Sequence, residues 1–193
     1  MRKPESETAR RRRRRRRRIQ VILIYTAIAV CLAWFFESQA TTTVIFVRHA
    51  EKAATPADDP GLSPAGQRRV AELTRQLLDA DVVAGVDAVY STAYRRTVET
   101  AQPVADALGL AVNTYDAADT EAIMESIVRE HKGKIILVVG HSNTLPALIG
   151  NMGASKKVPE IADAEYDNIY IVSIPWFGKT KTIRLRYGEP YTA

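Results

Sequence analysis

The hydrophobic pattern of the chain predicts a region in which strands and helices alternate, beginning near residue 43. Two runs of aliphatic and β-branched residues, 43–47 and 135–139, have the length and composition of strands that are buried on both faces. Further extended segments are predicted at 86–90, 110–115, 169–174 and 182–187, and the last two alternate like strands of an antiparallel edge.

Apolar residues at helical spacing predict helices between these strands. Ser63 and Pro64 are typical of a helix cap followed by a first helical residue. A second helix is predicted at 94–108, kinked or interrupted near Pro103 and ended by Gly109.

Two more helices are predicted nearer the carboxyl terminus. One covers 120–131, and the other is capped by Asn143 and runs to about residue 149. The regular alternation predicts an α/β fold: a three-layer α/β/α sandwich with a mostly parallel central sheet, preceded by a transmembrane helix.

The amino-terminal region predicts membrane targeting rather than part of the domain. Nine consecutive arginines at 10–18 precede eighteen uncharged residues at 19–36, and a helix of that length just crosses a hydrocarbon core of about 30 Å. Because basic flanks stay in the cytoplasm, the domain is expected on the extracytoplasmic, periplasmic side of a single-pass cell-membrane protein. The alternative is a signal peptide cleaved near Ala40, which would leave a secreted or periplasmic domain.

These expectations divide the chain into an Arg-rich cytoplasmic tail at 1–18, a transmembrane anchor or signal segment at 19–36, a linker at 37–42 and a domain at 43–193. The formal net charge of +5 conceals an asymmetry, since the tail carries +9 and the rest of the chain −4. A mildly acidic domain does not indicate a nucleic-acid partner. The single cysteine, Cys31, excludes an internal disulfide.

Polar residues follow the ends of three predicted strands, where open α/β sheets bind their ligands. Arg48 and His49 follow the first buried run, and His141 and Ser142 follow the second. Arg96 lies on the first turn of the helix after a third strand. Two imidazoles and two arginines at one sheet edge suit a phosphoryl group, because guanidinium groups bind phosphate oxygens bidentately.

Four motifs resemble the histidine phosphatase superfamily, whose fold is phosphoglycerate mutase-like. They are RHAE at 48–51, LSPAG at 62–66, STAYRRTVETA at 91–101 and GHS at 140–142. Their order and spacing match the family, and the resemblance covers residues 43–175. Two positions depart from the family pattern, since Ala50 stands in place of Gly and Thr97 in place of Ala.

The resemblance implies a phosphatase that forms a phosphohistidine at His49 and requires neither a metal ion nor another cofactor. Arg48, Arg96 and His141 would act on the equatorial oxygens of the phosphoryl group, and Ser142 would also bind phosphate. Cationic neighbours disfavour protonation of His49, so its lone pair stays available for attack.

The resemblance also implies a general acid, a carboxylate in the stretch after Arg96. That stretch offers Asp116, Asp119, Glu121 and Glu125. Asp119 is better explained as the cap of the following helix. Glu121, on the first turn of that helix, is the predicted acid, and Asp116 is the closest alternative.

The sequence therefore predicts a membrane-anchored phosphatase that hydrolyses phosphate monoesters or phosphoramidates. The alternative is a catalytically weak phosphate-binding module of the same fold. The short distances between motifs resemble the small, capless family members, whose open site would admit bulky substrates. The phosphorylated substrate stays open among sugar, lipopolysaccharide, protein and lipid phosphates, and no obligate protein partner is predicted.

Overall fold

A six-stranded sheet with helices on both faces organises the domain. The computed structural model describes residues 7–38, 41–79, 85–154 and 158–192, and it separates into an amino-terminal unit and a domain that begins at residue 40. In chain order, the elements of the described residues are α1 (Glu7–Ser38), β1 (Thr41–Arg48), α2 (Pro64–Asp79), β2 (Ala88–Ser91), α3 (Arg95–Leu108), β3 (Val112–Thr114), α4 (Thr120–Glu130), β4 (Ile135–Gly140), α5 (Leu145–Asn151), β5 (Asn168–Pro175) and β6 (Lys181–Arg186).

The strand order β3-β2-β4-β1-β5-β6 puts the two buried runs, β1 and β4, at the centre of the sheet. The first four strands in this order are parallel, whereas β5 is antiparallel to β1 and β6 is antiparallel to β5. The prediction of a mostly parallel sheet with an antiparallel edge is confirmed.

Successive side chains of the central strands pack against helices on opposite faces of the sheet. Phe46 belongs to a buried cluster with Met124 from α4. Its neighbour Val47 belongs to a second cluster with Leu73 from α2 and Val104 from α3. Burial on both faces explains why the central strands are continuous apolar runs, and it confirms the three-layer α/β/α architecture.

Two predicted helix features differ from the structure. α3 continues through Pro103, because packing of its buried face on the sheet offsets the roughly 3 kcal/mol cost of an interior proline. Asn143 does not cap α5. Instead, Thr144 and Leu145 both donate backbone hydrogen bonds to the carbonyl of His141, and this turn moves the helix start beyond Asn143.

The boundaries around the amino-terminal helix also differ from the predicted ones. α1 begins at Glu7, inside the predicted tail, and residues 37–38 and 41–42 of the predicted linker belong to α1 and β1, whereas residues 39–40 lie outside the described residues. The segment Arg10–Phe36 is long and apolar enough to cross a membrane. A signal sequence near the amino terminus has the same length and composition, so the helix is compatible with either an anchor or a signal segment.

Candidate active site

The register of β1 on β4 brings the two motif histidines together. Arg48 is the register partner of Gly140, so the next residue of each strand, His49 or His141, leaves the same edge of the sheet. The backbone N–H of His49 donates to the carbonyl of Gly140 at 3.0 Å. The imidazole centroids lie 5.3 Å apart at 64°. We call His49, His141, Arg48 and Arg96 the histidine pocket.

His49 is uncharged, and one of its nitrogens is free to react. Its Nδ1 lies 2.8 Å from the carbonyl oxygen of Ala50, and because a carbonyl only accepts, the Nδ1 atom carries the proton. The Nε2 atom therefore keeps its lone pair. Burial lowers the pKa of His49 to about 3, and the charges of Arg48, His141 and Arg96 act in the same direction. The hydrogen bond to Ala50 partly opposes this shift.

The backbone next to His49 is fixed by the helix that carries Arg96. The N–H of Ala50 donates to the hydroxyl of Thr100 at 3.0 Å, and that hydroxyl donates to the carbonyl of Arg96 at 2.7 Å. Ala50 is completely buried, so its methyl group fits where the family pattern has glycine.

Arg48 is locked in place by the segment that precedes β5. Its Nη1 donates to the carbonyl of Ala162 at 2.7 Å and to that of Glu165 at 3.1 Å. The guanidinium lies 4.2 Å from the ring centroid of Tyr166, whose centroid is 6.0 Å from that of His49. The buried Nε of Arg48 has no hydrogen-bond partner, so a donor is available for an anionic ligand.

Arg96 packs against Tyr94. Its guanidinium is 4.5 Å from the Tyr94 ring centroid, and its Nη1 is 3.9 Å from an oxygen of Asp59. Asp59 also accepts from the backbone N–H of Arg95 at 3.1 Å. The neighbouring Arg95 side chain is exposed and pairs with Glu99, so only one of the two adjacent arginines faces the pocket.

His141 is held by a chain of two threonine hydroxyls. Its Nε2 lies 3.0 Å from Oγ1 of Thr92, which lies 2.7 Å from Oγ1 of Thr97. Burial and the charges of Arg96 and Arg48 lower the pKa of His141 to about 4. Thr97, one of the two departures from the family pattern, thus adds a buried hydroxyl to the site.

The four acid candidates are all exposed, and one of them lines a cavity beside the pocket. Asp119 caps α4 by accepting from Ala122 N–H at 3.1 Å, as predicted. Glu121 is exposed on the first turn of α4. Asp116 lines a cavity together with Tyr94 and Thr92, where its carboxylate accepts from the N–H of Ala118. The role of Glu121 stays a prediction.

The remaining motif residues have different surroundings. Ser142 is half-buried directly after His141. In the motif at 62–66, Ser63 caps α2 through a 3.1 Å bond from Gly66 N–H, and a Cβ at Gly66 would overlap the backbone oxygen of Glu51. This motif thus supports the loop after His49.

Four residues that contact members of the histidine pocket were not predicted from the sequence: Tyr94, Thr92, Asp59 and Tyr166. Thr92 and Tyr94 lie inside the motif at 91–101 and could have been found there. Tyr166 lies in an irregular segment with no periodicity or motif, and only the folded chain brings it onto Arg48.

One family model matches part of the domain. The model of the histidine phosphatase superfamily (branch 1) matches residues 44–119. That span contains Arg48, His49 and Arg96 and ends before His141, which the sheet register brings to them. No curated protein sequence matches the chain.

Several solved structures share the fold. The protein histidine phosphatase SixA complexed with tungstate is 18% identical over 75% of this chain and 96% of its own, with a TM-score of 0.60. A mycobacterial glucosyl-3-phosphoglycerate phosphatase is 13% identical over 69% and 90%, with a TM-score of 0.53. A phosphoglycerate mutase from Plasmodium falciparum is 15% identical over 80% and 97%, with a TM-score of 0.56.

The fold and the paired histidines at its carboxyl edge define a phosphoglycerate mutase-like α/β domain. The resemblance to the histidine phosphatase superfamily, predicted from the four motifs, is confirmed by the family model over residues 44–119, and the solved structures share the fold.

Proposed function

We propose that the domain is a phosphatase that transfers the phosphoryl group of its substrate to Nε2 of His49. The observation that carries the proposal is the tautomer of His49, whose proton lies on Nδ1 against the Ala50 carbonyl. With a pKa of about 3, the imidazole is neutral at physiological pH and needs no separate base.

The reaction takes place in two steps. In the first, the Nε2 lone pair attacks phosphorus, the bond from phosphorus to the leaving oxygen breaks, and that oxygen takes a proton from a general acid. In the second, water attacks the phosphohistidine, the phosphorus–nitrogen bond breaks, and the ionised acid takes the proton from water. His49 returns to its neutral form and inorganic phosphate is released.

Arg48, Arg96 and His141 stabilise the phosphoryl group during both steps, and Ser142 adds a hydroxyl. The unpartnered Nε of Arg48 is fixed by its neighbours before substrate arrives, so little reorganisation is needed when charge spreads over the equatorial oxygens. This chemistry requires no metal ion.

We assign the general acid to Glu121, with Asp116 as the alternative. Glu121 is exposed, and the carboxylate of Asp116 accepts a local backbone hydrogen bond. Both side chains are exposed, outside the buried residues of the histidine pocket, and a general acid must come within hydrogen-bond reach of the leaving oxygen. This favours a second candidate function, in which the domain binds phosphorylated groups with little turnover.

The amino-terminal segments fit a single-pass anchor. We propose that residues 1–18 are cytoplasmic, that 19–36 cross the membrane and that the domain at 43–193 is extracytoplasmic, because the basic residues precede the apolar segment. A reporter active only outside the cytoplasm, fused after Thr42, tests this topology. Intact mass of the membrane-extracted protein shows whether the segment ending at Ala40 is removed.

The phosphatase proposal is tested with the full-length protein in detergent. We expect hydrolysis of 4-nitrophenyl phosphate in excess chelator, and a phosphoenzyme that is labile in acid and stable in alkali. His49→Ala should abolish both. The matched control is His131→Gln, since His131 bonds to Tyr90 and lies outside the pocket.

Two results would contradict the proposed chemistry. One is activity that survives in His49→Ala, and the other is activity that the chelator removes. Phosphate binding without a detectable phosphoenzyme in the unmodified protein would instead support the binding module.

A further inference from the structure

The turn between β5 and β6 carries two exposed aromatic side chains. Trp176 is 71% exposed and Phe177 is 88% exposed, and Lys179 and Lys181 lie two and four residues after Phe177. We call residues 176–181 the hairpin tip. Adjacent large aromatics with lysines beside them are typical of surfaces that contact a partner, because exposed aromatic area is costly in water.

The hairpin tip lies at the end of the sheet where β1 begins. Thr41, the first residue of β1, is the register partner of Pro175. Thr41 also lines a shallow cavity with Phe177 and Lys179. The tip is therefore beside the point where the chain enters the domain.

The start of β1 follows the end of the apolar helix closely in the sequence. Thr41 comes three residues after Ser38, the last residue of α1, and three residues span at most about 11 Å. If the apolar helix crosses a membrane, the start of β1 must lie near the membrane surface. The hairpin tip must then lie near it too.

We propose that the hairpin tip rests on the surface of the membrane in which the chain is anchored. This inference rests on the anchor part of the proposed function. Tryptophan and phenylalanine at the tip would enter the interface between headgroups and acyl chains, where aromatic side chains are enriched. Lys179 and Lys181 would meet anionic headgroups.

The histidine pocket lies at the other end of the same strand. Arg48 ends β1 and Thr41 begins it, and seven steps along a strand cover about 23 Å. Within the domain, the hairpin tip and the histidine pocket are therefore at opposite ends of the sheet.

The two tryptophans of the chain, Trp34 and Trp176, allow a direct test. Full-length Trp34→Phe protein, in which Trp176 is the only tryptophan, is reconstituted in phosphatidylcholine and phosphatidylglycerol vesicles with or without brominated acyl chains. We expect brominated lipid to quench Trp176 emission. In a Trp34→Phe background, the pair Lys179→Glu and Lys181→Glu should reduce this quenching.

The matched control is Trp176→Phe, in which Trp34 reports on the helix. Quenching of Trp34 without quenching of Trp176 would overturn the hairpin contact and leave the anchor intact. Absence of quenching at Trp34 would overturn the anchor, and the inference with it. A Trp176 emission change that depends on protein density and not on bromine would identify a second copy of the chain as the partner and also overturn the proposal.

Discussion

The Nε2 atom of His141 lies 3.0 Å from the hydroxyl oxygen of Thr92, and this contact determines which nitrogen of His141 carries a proton. Oγ1 of Thr97 is 2.7 Å from the Tyr94 carbonyl, which only accepts, so the Thr97 proton points there. Thr97 then accepts from Thr92, whose own proton is used. Thr92 then accepts from Nε2–H, and neutral His141 carries its lone pair on Nδ1. His141 can therefore donate to a phosphoryl oxygen only after Nδ1 has taken up a proton, which the negative charge of the bound phosphoryl group favours.

We expect Thr92→Val to reduce kcat/KM by about 10- to 100-fold, because a buried N–H left without an acceptor costs about 1–3 kcal/mol. Thr92→Ser keeps the hydroxyl and should restore most of the activity. Steady-state kinetics with 4-nitrophenyl phosphate measure the effect, and the ¹⁵N chemical shifts of His141 report the tautomer. Unchanged shifts in Thr92→Val would contradict the hydrogen-bond chain.

Stability should fall as pH decreases from about 7 towards 4. The folded pKa values of His49 and His141 are about 3 and about 4, below the unfolded value of about 6.5. Within this window the unfolded chain binds more protons than the folded one, so acidification favours unfolding. Thermal unfolding of the detergent-solubilised chain, followed by circular dichroism, measures the slope.

The slope should be smaller in the double variant His49→Asn and His141→Asn, which lacks both buried imidazoles. His131→Gln should keep the original slope, since that residue lies outside the histidine pocket. Equal slopes in all three proteins would mean that other groups control the acid sensitivity.

The site residues that could be predicted from the sequence are those that directly follow the ends of strands. β1 and β4 are apolar on both faces and therefore visible in the sequence, and parallel strands bring residues after their carboxyl ends to one edge. That rule predicted the meeting of His49 and His141. It could not predict Tyr166, because the segment before β5 has no period and its position depends on bonds from Arg48 to two backbone carbonyls.

Arg96 and Arg95 provide a matched pair for testing the phosphate clamp. Arg96→Lys should lower kcat/KM by about 10²–10³-fold, as for loss of one preorganised donor in an active site. An ammonium group cannot reproduce the planar guanidinium that lies over Tyr94. Arg95→Lys changes an exposed side chain and should leave the kinetics unchanged. Similar losses in both variants would contradict the assignment of Arg96.

Gly66→Ala should destabilise the domain by about 1–3 kcal/mol, because its methyl group would overlap the carbonyl of Glu51 and overpack the contact between α2 and the loop after His49. Gly150→Ala is the matched control, since a Cβ at Gly150 meets nothing within 4 Å. Alanine there should be neutral or stabilise α5 by about 0.5–1 kcal/mol. Thermal unfolding compares the two variants, and equal midpoints would contradict the close approach at Gly66.

The identity of the general acid can be tested by comparing leaving groups. Glu121→Gln should slow hydrolysis of an alkyl phosphate far more than that of 4-nitrophenyl phosphate, because only the poor leaving group needs a proton in the transition state. Removing a general acid typically costs about 10²–10⁴-fold in rate. The measurement is kcat for both substrates in each variant.

Asp116→Asn is the competing variant, because Asp116, although exposed like Glu121, lines the cavity beside Tyr94 and Thr92. A selective loss with the alkyl phosphate in Asp116→Asn, together with unchanged or equal effects in Glu121→Gln, would transfer the role to Asp116. Glu125→Gln, one turn further along α4, should affect neither substrate. If no carboxylate variant shows selectivity while the phosphoenzyme still accumulates, dephosphorylation is slow and the domain acts as the phosphate-binding module.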